Sequence, residues 1–108
     1  MSFNVKTITV FERQAKRLVK KFPSLKKEIQ ELIKELREKP EKGTSIGHNC
    51  YKIRLAIASK GKGKSGGARI ITYIIYKDDT VYLLSIYDKS DIGNLTDKEI
   101  LELIKLIS

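Results

Sequence analysis

The hydrophobic spacing of this chain turns from helical to alternating between Pro40 and Cys50, and that change dictates a mixed fold. Before it, Phe11, Ala15, Leu18, Val19 and Phe22 form one apolar stripe at helical spacing. Arg13, Lys16, Arg17, Lys20 and Lys21 lie mostly off that stripe. Thr9 and Glu12 have the T-x-x-E spacing of a capping box, which predicts a helix start there. Pro23-Ser24 breaks the pattern, and Leu25, Ile29, Leu32, Ile33 and Leu36 repeat it in a second helix that ends before Pro40. So short a break predicts an antiparallel helical hairpin. Ahead of the hairpin, residues 4–9 (NVKTIT) are β-branched and weakly alternating, which predicts a short strand.

After the change, every second residue of Tyr51, Ile53, Leu55 and Ile57 is apolar, while Cys50, Lys52 and Arg54 point the other way. This is the signature of a half-buried strand with two cations on its open face. Residues 69–76 (RIITYIIY) predict a more apolar strand, Asp78-Asp79 a turn, and Val81–Tyr87 (VYLLSIY) the hairpin partner. Asp88 to Asn94 reads as a polar exit loop. Thr96 and Glu99 form a second T-x-x-E box, opening a C-terminal helix with Ile100, Leu103, Ile104 and Ile107 on one side. Leu101 and Leu106 fall outside that face, as extra core or as a partner surface. The expected fold is α+β, one domain over residues 1–108, in the order β-α-α-β-β-β-α. One sheet face should carry the helices and the other should be open and basic.

Charge narrows the function classes. The net charge is +9, but residues 1–77 carry 19 basic and 6 acidic side chains, a net of +13, and residues 78–108 carry 3 and 7, a net of −4. From Lys42 to Arg69 there are seven basic residues and no carboxylate. Such a concentration of cations points to a polyanion, and phosphate backbones are the commonest. A solvated basic loop is the plainer alternative. The loop cations Lys60, Lys62 and Lys64 are the candidate phosphate-backbone contacts. The single cysteine excludes an intrachain disulfide, and with no signal-like segment it predicts a cytoplasmic protein. One Cys and one His cannot by themselves build a structural zinc site, and no cofactor is expected.

Gly61 to Gly66 matches G-x-G-x-x-G, but a β-branched strand follows where the dinucleotide motif needs a helix. The P-loop pattern fails at Ala58, which stands in place of its first glycine. His48 is the only imidazole, in a polar stretch where a surface histidine is the simpler reading. Cys50 reads as a small core filler. Tyr87 ends a strand beside a polar loop and stands apart from the other tyrosines, which read as packing residues.

Taken in order, the Lys-rich hairpin, CYKIRL, GGARIITYII and VYLLSIYDKSD resemble the RelE/HigB superfamily of type II toxin–antitoxin toxins. The resemblance spans nearly the whole chain and implies a small twisted antiparallel sheet with two N-terminal helices on one face. It further implies a metal-independent, ribosome-dependent endoribonuclease, in which the mRNA's own 2′-hydroxyl attacks the adjacent phosphate. A cognate antitoxin, the ribosome and mRNA would be the partners. By position, Lys52 and Arg54 match the family's basic strand pair, Arg69 the arginine of the next strand, and Lys89 a basic residue after the last strand. Leu95 stands where many members carry an essential tyrosine, and Tyr87 is the candidate replacement. Arg54 stands where a lysine is common, and arginine is a poor general base. The loop of residues 58–67 is longer than in the simplest members.

The chemistry assigns roles. Arg54 and Arg69 would fork two phosphate oxygens. Lys52, crowded by two arginines, would act as base. Lys89, Tyr87 or His48 would protonate the leaving 5′-oxygen, with Asp88 orienting one of them. Leu101 and Leu106 would anchor the antitoxin. Two other functions stay open: a ParE-like inhibitor of DNA gyrase acting by protein contact, and a basic RNA-binding module without activity.

Overall fold

The computed structural model describes residues 2–60, 66–91 and 93–107. Its elements are β1 (Asn4–Thr7), α1 (Thr9–Lys21), α2 (Leu25–Glu38), β2 (Thr44–Gly47), β3 (Cys50–Leu55), β4 (Ala68–Ile75), β5 (Thr80–Asp88) and α3 (Asp97–Ile104). The expected elements follow one another in the expected order, with one strand added, and the five strands form one mixed sheet in the order β1-β5-β4-β3-β2. Strands β2 to β5 are antiparallel neighbours, whereas β1 joins the far edge parallel to β5.

Strand β2 has no counterpart in the expected order. It returns to β3 through His48 and Asn49, both left-handed at φ 56° and 59°, with Gly47 opposite Cys50. Two left-handed residues in a two-residue loop are the hairpin geometry whose twist suits adjacent strands, and His and Asn tolerate it better than most. Ile46 is the strand's only large apolar side chain, so no alternation marked it.

The two helix starts differ. Thr96 accepts from the Glu99 amide while Glu99 accepts from the Thr96 amide, completing the expected box at α3. At α1, Thr9 is already the first helical residue and Ile8 occupies the cap position without a side-chain bond. Glu12 accepts instead from the Thr7 hydroxyl.

The core lies between the helical hairpin and one sheet face. Phe11 and Leu18 of α1 and Leu25, Leu32 and Leu36 of α2 are buried there with Ile53, Ile70, Ile74 and Ile86. Gln14 of α1 accepts from both the Ser85 hydroxyl and the Ile86 amide at 3.1 and 3.0 Å, satisfying β5 beyond the end of β1. A bulge between Ile71 and Thr72 leaves Leu84 as an extra residue on β5.

The other face departs from expectation, because α3 and the segment before it lie over it. Ile100 is buried, and Leu95, Leu103, Ile104 and Ile107 pack against the core. The apolar stripe of α3 must be removed from water, and this sheet face is the apolar surface left to receive it. Leu101 and Leu106 remain exposed, at 40% and 58%.

Candidate functional site

Register brings the candidate cations together. Arg54 of β3 stands opposite Arg69 of β4, and Arg69 opposite Tyr87 of β5. These three side chains form one row across the sheet. Lys52 lies two residues from Arg54 and therefore on the same face. Directly opposed side chains in an antiparallel pair have Cβ atoms about 4.5–5.5 Å apart, and like charges there are unfavourable. The Arg54–Arg69 pairing thus concentrates positive charge at one end of the sheet.

At Arg69 and Tyr87 this face is covered rather than open. Arg69 and Tyr87 are each only 3% exposed. An Nη1 of Arg69 donates to the Ala68 carbonyl at 3.2 Å. The Tyr87 hydroxyl is buried without a hydrogen-bond partner among the described residues, and burial raises its pKa against the lowering effect of the Arg69 charge. Tyr87 is therefore a proton donor, not a phenolate, at neutral pH. Lys52 Nζ donates to Asn94 Oδ1 of the exit loop at 3.0 Å. Arg54 is exposed, as is Lys89, whose amide donates to the Gly67 carbonyl at 3.2 Å.

Two expected site residues lie elsewhere. His48 sits exposed on the β2–β3 hairpin tip. It is six residues from Arg54 along the strand, about 20 Å at the usual strand rise. Asp88 stands opposite Ala68, so its side chain leaves from the helix-bearing face, away from Tyr87. There its Oδ1 accepts from Lys60 Nζ at 2.5 Å and from the Ser90 amide and hydroxyl at 3.0 and 2.8 Å. Lys60 is thus not a free phosphate contact. Its ammonium is held in a buried ion pair and lies 5.5 Å from the Phe22 ring centroid. Lys62 and Lys64 lie outside the described residues, as does most of the G-x-G-x-x-G match.

Cys50 is fully buried, and burial pushes its thiol up to about 11, so it is a packing residue and no nucleophile at neutral pH. Burial alone would raise the Asp88 carboxyl, but Lys60 and the Ser90 bonds outweigh it and hold the pKa below the ordinary 3.8. A carboxylate with a depressed folded-state pKa contributes stability that is complete above the unfolded value and lost as pH falls through the folded one. The stability difference between the parent and Asp88→Asn, read by urea unfolding, is therefore expected to be largest near neutrality and to shrink as pH falls below about 3.8. A difference unchanged down to pH 2 to 3 would show that the carboxylate charge is not what the pair contributes.

The profile of one protein family, described as the RelE toxin of the RelE / RelB toxin-antitoxin system, matches residues 5–108. The chain belongs to the RelE toxin family. Its fold is that of the E. coli toxin RelE. A double mutant of that toxin in the free state superposes with a TM-score of 0.63 at 19% identity, over 100% of both chains. A crystal structure of the isolated E. coli RelE toxin gives 0.58 at 21% identity, over 99% of this chain and 100% of that one. This RelE-family chain is accordingly the toxin of a toxin–antitoxin pair, and membership implies an antitoxin partner. No helix among the described residues of the RelE-family chain is long and apolar enough to cross a membrane.

Proposed function

We propose that this RelE-family toxin is an endoribonuclease that cuts mRNA on the ribosome, through attack of a 2′-hydroxyl on the adjacent phosphate. The observation that carries this reading is the cross-strand row Arg54–Arg69–Tyr87 with Lys52 beside it. Two arginines opposite each other across β3 and β4 match the fork geometry by which guanidinium groups hold the oxygens of one phosphate.

Attack of the 2′-oxygen forms a bond to phosphorus and breaks the bond to the 5′-oxygen, leaving a 2′,3′-cyclic phosphate and a 5′-hydroxyl. Arg54 and Arg69 hold the non-bridging oxygens and stabilise the charge that builds on them. Lys52 takes the 2′-hydroxyl proton, and Tyr87 or Lys89 delivers one to the leaving oxygen. Positive charge at the phosphate comes from side chains, so the chemistry calls for no metal ion.

Arg69 and Tyr87 are buried in the free chain, so the groups that cover them must shift to admit the scissile phosphate. The Asn94 oxygen on Lys52 marks a place that a phosphate oxygen would take. The exposed Leu101 on α3 and Leu106 in the turn just past its end are the proposed apolar anchors for the antitoxin, working alongside acidic contacts to the basic body.

The test is cleavage of a defined mRNA on ribosomes, with end groups identified. Cutting that yields a 2′,3′-cyclic phosphate, and that a single 2′-deoxy substitution before the cut abolishes, is the expected result. Uncut mRNA together with inhibited supercoiling by DNA gyrase would replace this reading with the ParE-like one.

A further inference from the structure

Asp88 lies in sequence between Tyr87 and Lys89, the two candidate proton donors, yet its carboxylate is on the far side of the sheet from Tyr87. Its side chain is 1% exposed and that of its partner Lys60 11%. Burying two charges is expensive unless geometry and further hydrogen bonds compensate. Here Asp88 Oδ1 gathers three donors, from Lys60 Nζ and from the Ser90 amide and hydroxyl. Among the described residues the Oδ2 atom is buried without a partner, so the pair is not simply a stability optimum.

Lys60 is itself fixed from the opposite direction. Residues 58–60 form a single 3₁₀ turn tied to the helical hairpin. The Ala58 amide donates to Glu28 Oε2 at 2.9 Å, the Ser59 amide donates to Ser24 Oγ at 3.0 Å, and the two serine hydroxyls are 2.9 Å apart. A continuous set of polar contacts therefore runs from the α1–α2 turn through Lys60 to the last residue of β5. On the other side of that last turn of strand, the Lys89 amide bonds the Gly67 carbonyl.

We infer that Lys60 and Asp88 are a positioning pair for RNA cleavage. From the helix-bearing face they pin the end of β5, and so set where Tyr87 and Lys89 stand relative to Arg69. The inference rests on the endoribonuclease reading. It assigns Asp88 no contact with substrate and takes Lys60 out of the RNA-contacting set. The effect passes through the main chain: loosening the Asp88 anchor lets the strand end fray and moves the proton donors on either side of it.

The test uses the full chain with Lys60→Met, Asp88→Asn and Lys60→Arg. Two quantities are read: the single-turnover cleavage rate on saturating ribosomes against ribosome affinity, and hydrogen exchange at the Lys89 amide against amides of the central strands. Lys60→Met and Asp88→Asn are expected to lower the rate on the order of 10²-fold, the scale of about an ångström of misplacement, with ribosome affinity near that of the parent. The Lys89 amide should exchange at least about tenfold faster while Ile70 and Ile86 keep their protection. Lys60→Arg, which keeps the cation, should restore most of both.

A pair that merely stabilises would speed exchange throughout the sheet in proportion to the lost stability and leave the folded protein's rate unchanged, and that result overturns the proposal. So does a parent-like rate with parent-like Lys89 exchange in both single variants. Should a single variant fail to fold, Lys60→Met/Asp88→Leu removes both charges together and carries the same readouts. If the parent itself cuts no mRNA, the endoribonuclease reading has failed. The Lys89 exchange then decides by itself whether the pair holds the end of β5.

Discussion

Arg69→Ala is expected to reduce cleavage of ribosome-bound mRNA by about 10²–10³-fold, the usual consequence of deleting one preorganised donor to a developing oxyanion. Arg69 is the middle member of the Arg54–Arg69–Tyr87 row, so its cross-strand neighbours are a cation on one side and a phenol on the other. The loss should be a rate effect, with the circular dichroism of the folded protein unchanged. Because Arg69 is buried, removing its side chain also removes packing, and Arg69→Met keeps the apolar stem while discarding the charge. Both variants should release growth arrest in cells. Full toxicity from a folded Arg69→Met protein would remove Arg69 from the catalytic set.

The second large effect is on the fold. A Cβ on Gly67 would stand 2.1 Å from the Leu55 carbonyl oxygen and 3.1 Å from the Ala56 Cα. Both are main-chain atoms at the end of β3, with no rotamer to move aside. Gly67→Ala is therefore expected to cost about 3 kcal/mol or more, at the upper end of overpacking penalties. In a chain of this size each kcal/mol lowers the melting temperature by roughly 4 °C, so a fall of about 12 °C or more should appear in calorimetry. Gly93, with no atom of the described residues within 4 Å of an added Cβ, is the control, and Gly93→Ala should melt close to the parent. Equal melting of the two variants would mean that the strand ends part easily at Gly67.

The elements that were legible are those whose evidence is local. The stripe from Phe11 to Phe22 and its repeat from Leu25 to Leu36 became α1 and α2, because amphipathic spacing leaves a helix one face to bury. The alternation in YKIRL put Lys52 and Arg54 on the face away from Ile53, as a period of two requires. The two T-x-x-E signals were identical as patterns and only one became a cap. Thr96 precedes its helix, whereas Thr9 is inside α1 and the chain from β1 delivers Ile8 to the cap position. Strand β2 was illegible because a short, polar edge strand carries almost no periodicity, and its stability comes from β3.

The candidate site divides in the same way. Which residues share the cationic face follows from parity along β3 and β4, and parity is written in the sequence. Whether that face meets water is not, because it depends on where a helix that begins nine residues after the end of the last strand comes to rest. The apolar stripe of α3 declares that the helix must be covered. The identity of the covering surface, and hence the burial of Arg69 and Tyr87, is settled only when the sheet is assembled. The same holds for Lys60. In the sequence it belongs to a run of loop lysines, all equally solvated by composition. In the folded chain it meets Asp88, 28 positions away, at the edge of the core. The sequence alone determined the periods, the turns and the sign of the charge, since these are properties of neighbouring residues. The tertiary structure decided which charges are paired and which groups are shielded, since pairing and desolvation depend on distances that only packing sets.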